Sequence, residues 1–105
     1  MPFTGKEKHQ IGKDDAKQLI KNFHDNQKKI KIKSVFFGRE FVLSLLNQSD
    51  CVGLRIYYAQ QGPAKQDAPT MVIASEDSTW TVMTTVLGED PPLCPPVCPL
   101  VDPLA

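Results

Sequence analysis

A chain of 105 residues with 41% hydrophobic and 23% charged side chains amounts to one domain at most, able to bury roughly two-thirds of the surface its unfolded form exposes. Twelve basic and twelve acidic residues cancel, which argues against a dedicated nucleic-acid binder, and the near-average composition argues against wholesale disorder. No stretch approaches the ~18 apolar residues of a membrane helix, and the first fifteen residues lack the apolar run of a signal peptide, so a cytoplasmic protein with no membrane partner is expected. A chain already freed of its signal peptide would also fit, although Met1 speaks against it.

Residues 1–10 read as a flexible lead, residues 11–87 as a single α+β domain, and residues 88–105 as an extended Pro/Cys-rich tail. Within the domain, "IGKDDAKQLIKNFHDNQ" sets Ala16, Leu19, Ile20 and Phe23 at the spacing of one apolar helical stripe. Asp14 and Asp15 fall at its first turn, where carboxylates suit the exposed amides and the positive end of the helix dipole. "KKIKIKSVFF" alternates, with Ile30 and Ile32 on one side and Lys29, Lys31 and Lys33 on the other, and predicts a half-buried edge strand guarded by lysines. Helical spacing returns through Phe37, Phe41, Leu45 and Leu46, giving a shorter helix packed on the sheet.

"CVGLRIYYA" is rich in β-branched and aromatic residues and predicts the strongest strand. Leu54, Ile56 and Tyr58 share one face; Arg55, Tyr57 and Ala59 share the other. After a loop punctuated by Gly62, Pro63 and Pro69 come "TMVIAS" and "TWTVMTTVL", close enough in sequence to form an antiparallel hairpin about Glu76-Asp77-Ser78. Two helices on a mostly antiparallel sheet of three to four strands is the expected architecture. From Gly88 onward six prolines fall in eighteen residues. Proline has no amide to give a helix or ladder, so this tail should be extended or polyproline-like, either folded back through Leu93, Val97, Leu100 and Val101 or hanging free.

Charge is unevenly placed. Residues 1–40 carry ten basic and five acidic side chains, and the remainder two basic and seven acidic ones. Such halves either complement each other or form an electrostatic face. A nucleic-acid binder using the basic half is one reading, and it requires binding that weakens steeply with salt.

Three cysteines and a histidine are the candidates for metal or thiol chemistry. Cys94 and Cys98 form a Cys-x-x-x-Cys pair, Cys51 could supply a third thiolate, and His24 a fourth ligand, the set tetrahedral zinc would take. The spacing departs from the tight double pairs of zinc modules. Pro95, Pro96 and Pro99 deny the helix N-terminus on which thioredoxin-like centres rely. A disulfide within or between chains, or Cys51 as a small buried hydrophobe with the tail thiols merely retained, are the plainer readings.

Arg55 and Tyr57, extended by Lys31 and Lys33, form the candidate binding surface, since a cation beside an aromatic on a strand face can take ligand rings or phosphate. The competing reading pairs Arg55 with an acid on a neighbouring strand. No phosphate-cradling loop, nucleophile elbow or metalloprotease helix is present. A Cys51–His24 pair would have to be assembled in space, so the chain leans away from an enzyme without excluding one.

The strand "CVGLRIYYA", the following "TMVIAS" and the late "CPPVC" resemble a group of small bacterial proteins of unknown function with a lysine-rich leading helix, a Gly-x-Arg-x-Tyr strand and a terminal Cys-Pro element. The resemblance spans roughly residues 11–98. It implies no activity and directs attention to Cys51–Tyr58 and Cys94–Cys98. Together these features suggest a small non-enzymatic binding or accessory module with a protein partner. Exposed strand edges would also allow a homo-oligomer.

Overall fold

A computed structural model describes residues 3–64, 69–89 and 91–104. The first helix, α1, runs Lys13–Asn26, with Asp14 and Asp15 in its first turn and His24 in its last. Its polar face is tied by Gln18 to Asn22 at 2.7 Å and by Lys21 to Asp25 at 2.6 Å. Its apolar stripe is where sequence spacing puts it, yet no residue of α1 is buried. The second helix, α2, spans Arg39–Leu46 and does reach the core through Leu45, which is wholly buried.

The principal sheet has three antiparallel strands in the order β2 (Cys51–Gln60), β3 (Pro69–Asp77), β4 (Val82–Gly88). Leu54 faces Ser75, Ile56 faces Ile73 and Tyr58 faces Met71, while Arg55 faces Ala74 and Tyr57 faces Val72. Partners opposite each other in an antiparallel pair share a face, so the register sorts the sheet into two surfaces. α2 covers the surface of Leu54, Ile73 and Ser75, where the buried Ser75 hydroxyl donates to the Leu45 carbonyl at 2.8 Å. Gly88 lies opposite Ile73 on that surface, and a Cβ there would run into the Phe41 ring and the Ile73 side chain. The other surface, with Arg55, Tyr57, Ala74 and Leu87, has no helix against it.

The hairpin between β3 and β4 is as expected, but β4 begins at Val82 rather than Thr79. Asp77 explains the delay. Its carboxylate accepts from the Thr79 amide at 2.8 Å, the Thr79 hydroxyl at 2.7 Å and the Thr81 amide at 3.0 Å, holding a turn in which Trp80 takes a positive φ of 64°. The β3–β4 ladder is also irregular, with the register shifting between Ala74 and Ser75.

The lysine-rich stretch departs from expectation. Residues 29–33 keep their alternation, with Ile30 and Ile32 half-buried between exposed lysines, but the strand itself is only β1, Ser34–Val35. A strand needs a ladder, and the partner is short: β5, Leu93–Cys94, in a separate two-stranded antiparallel sheet. The Lys33 amide donates to the Cys94 carbonyl at 2.6 Å and the Phe36 amide to the Pro92 carbonyl at 3.1 Å. The sheet material is thus divided, two strands and three. The tail is anchored through Pro91, Leu93 and Cys94, while Val97, Leu100 and Val101 stand exposed.

Candidate binding surface on the helix-free sheet face

Arg55 is the centre of the helix-free face. Its Nε donates to Glu76 Oε1 at 2.6 Å and its Nη2 to Oε2 at 2.9 Å, a two-pronged pairing that suits the planar guanidinium. Glu76 sits opposite Gly53, one diagonal step from Arg55, and its side chain is only 7% exposed. The hydrogen bonds and charge of Arg55 hold the Glu76 carboxyl below its ordinary range, although burial and Asp77 push the other way. Arg55 is therefore engaged with an acid of the neighbouring strand, and its guanidinium is oriented before any ligand arrives.

Aromatic groups gather around this pair. The lead brings Phe3 over Arg55, with the guanidinium carbon 5.6 Å from the ring centroid, and Phe3 in turn meets Trp80 at 6.2 Å. Two features let the lead approach. The Glu7 carboxylate gathers the Thr4 and Gly5 amides, each at 2.9 Å, and these backbone bonds, led by that from Thr4, draw its pKa to about 2. Gly5 takes a φ of +85° where a Cβ would lie 2.8 Å from the Val52 carbonyl oxygen, a backbone position that only glycine fills without strain. On the same face Tyr57 remains 43% exposed and Leu87 52%, and Trp80 in the adjoining turn is 55% exposed.

The other residues singled out in the sequence are dispersed. Lys33 and His24 line a groove between α1 and the opposite sheet face, together with Tyr58 and Met71, whereas Arg55 lines a hollow with Phe3, Glu7 and His9. Lys31 is exposed on the stretch before β1. Cys94 and Cys98 are joined in a disulfide, Cα atoms 4.7 Å apart. Cys51 carries a free thiol, half-buried at the head of β2, that donates to the Gly53 carbonyl at 3.3 Å. Among the described residues no three His, Cys, Asp or Glu side chains converge as a metal-holding group. No helix among those residues is long and apolar enough to cross a membrane.

The acid that one sequence reading set beside Arg55 is Glu76, whereas Phe3 and Trp80 were not singled out from the sequence. Glu76 could have been found by register alone, since the hairpin pairing of β2 with β3 brings a carboxylate to the Arg55 side. Phe3 carried no signal, because the lead has no periodicity. No protein family, no curated protein and no solved structure matches this chain.

Proposed function

We propose that the protein is a small non-enzymatic binding module that receives a protein partner on the helix-free face of its sheet. One observation carries this reading: Tyr57 and Leu87 are exposed on the sheet face on which Arg55 is already fixed by Glu76 and Phe3, and Trp80, which meets Phe3, is exposed as well. Tyrosine, tryptophan and arginine are the side chains that dominate interface energetics, because they cover large areas at low entropic cost. An ion pair formed in advance needs no reorganisation on docking. The tail is a second point of contact on this reading, since its exposed Val97, Leu100 and Val101 lie among prolines that lose little freedom when they enter an aromatic groove. Affinity capture with the intact chain and with Tyr57→Lys and Leu87→Lys tests the proposal. A partner retained by the wild type and lost by both variants, at unchanged circular dichroism, is expected; equal retention by both variants overturns it.

The disulfide favours a second reading, a thiol-dependent protein using Cys94 and Cys98. Bridged sulfurs are not thiolates and hold no metal in that state, so exchange chemistry fits the pair better than zinc does. The bridge also bears on location. Reducing compartments keep thiols free, so a cytoplasmic protein would hold this pair reduced or cycle it. Trapping the thiols in acid at the moment of cell lysis separates the two states.

A further inference from the structure

An uncovered apolar surface lies on the opposite side of the sheet from Tyr57. α1 leaves Leu19 62% and Phe23 46% exposed, and a fourteen-residue helix with no buried residue gains little from the packing that normally sustains helices in proteins. Beneath it a groove of about 420 Å³ is walled by Leu19, Phe23, Ile32, Val35, Tyr58 and Met71. That size and apolar lining are those of small-molecule sites, in which a few polar groups set orientation. Among the described residues the charged or chargeable groups of the lining are Lys33 and His24, and none of them is a carboxylate. Ser34 and Thr70 belong to the same lining.

We infer that this groove binds an anionic amphiphile, a medium- to long-chain carboxylate, with its alkyl chain between α1 and the ends of β2 and β3 and its headgroup at Lys33. Charge complementarity decides the class. An alkyl ammonium would meet one lysine, one histidine and no carboxylate among the described lining residues, and a neutral alcohol would leave the Lys33 charge unused. The alkyl chain would cover Leu19, Phe23 and Tyr58, the groups that the fold leaves to water. This site is separate from the helix-free face, and neither depends on the other.

Dodecanoate below its micelle-forming concentration is the probe, titrated into the full chain and followed by amide chemical shifts and calorimetry. Dodecanol and dodecylamine serve as neutral and cationic comparators. Saturable binding of dodecanoate is expected, with shifts confined to α1, residues 32–35 and 69–71, and Tyr58, and with affinity at least tenfold above either comparator. Lys33→Glu should remove that preference, and Leu19→Glu, at a site already exposed, should abolish binding. Tyr57→Lys should leave it unchanged. Three results overturn the inference: no saturable binding, equal affinity for the three amphiphiles in the wild type, or a groove filled by self-association that dodecanoate does not displace. A groove that instead takes an acidic peptide and rejects dodecanoate overturns it too.

Discussion

Glu76 shows how much one side chain depends on its neighbour. A carboxylate at 7% exposure is costly to hold ionised unless it is paired, and the double hydrogen bond from Arg55 is what keeps its pKa low. With a folded pKa below the unfolded value, the pairing contributes stability above the ordinary carboxylate value of 4.5, and this is lost as pH falls through the folded value. The melting temperature of the wild type should therefore drop as pH falls below that range. Glu76→Gln should be less stable near neutrality and show a shallower acid decline, and scanning calorimetry across the range checks both. Gly88 makes a steric counterpart. Gly88→Ala drives a methyl into Phe41 and Ile73 and should cost about 1–3 kcal/mol, as overpacked cores do, measured by denaturant unfolding. Of these two positions, the sequence offered an acid partner for Arg55 as one option and gave no sign of Gly88, because the α2–β4 contact is set by how the helix lies on the sheet.

The two helices, alike in amphipathic spacing, differ in what their apolar faces meet. α2 sinks Leu45 into the core and accepts a hydrogen bond from Ser75, so Leu45→Ala should cost about 2–5 kcal/mol. α1 buries nothing. Its amides should accordingly exchange with solvent well before those of β3, whose Ile73, Ala74 and Ser75 are buried; equal protection of α1 and β3 in a hydrogen-exchange experiment would contradict this account. Periodicity reveals which residues share a helical face and is silent on whether anything covers that face. The same limit explains the lysine-rich stretch. Alternation at Ile30 and Ile32 survives, but the ladder lies at Ser34–Val35 because its partner is Leu93–Cys94, inside a run of prolines that argued against any strand. The β2, β3 and β4 strands were legible because their partners adjoin in sequence and their residues are β-branched and aromatic.

At the scale of the whole molecule the two sheets and the covalent bridge act on different parts of the chain. The bridge closes a short loop behind β5, which by the chain-entropy argument is worth on the order of 2 kcal/mol. Thiol titration of the native protein should find one reactive group, Cys51, and three after reduction. Cys94→Ser with Cys98→Ser should raise the exchange rates of the Lys33 and Phe36 amides, which donate to the Cys94 and Pro92 carbonyls. That Arg55 and Tyr57 share a strand face was legible from alternation, whereas the nearness of Phe3 and Trp80 was not, since these are brought in by the lead and by the Asp77 turn.

The pairing of β1 with β5 also governs the order of assembly. Residues 34 and 94 are registered partners, so the segment between them, holding α2 and the whole three-stranded sheet, is enclosed by a contact of long sequence separation that forms slowly. On the ribosome the sheet can close while the chain leading into α2 still lacks its mate, and the β1 backbone stays open until Leu93 and Cys94 have emerged. During synthesis that opening is the interval in which a chaperone or a second nascent copy would find a free strand edge.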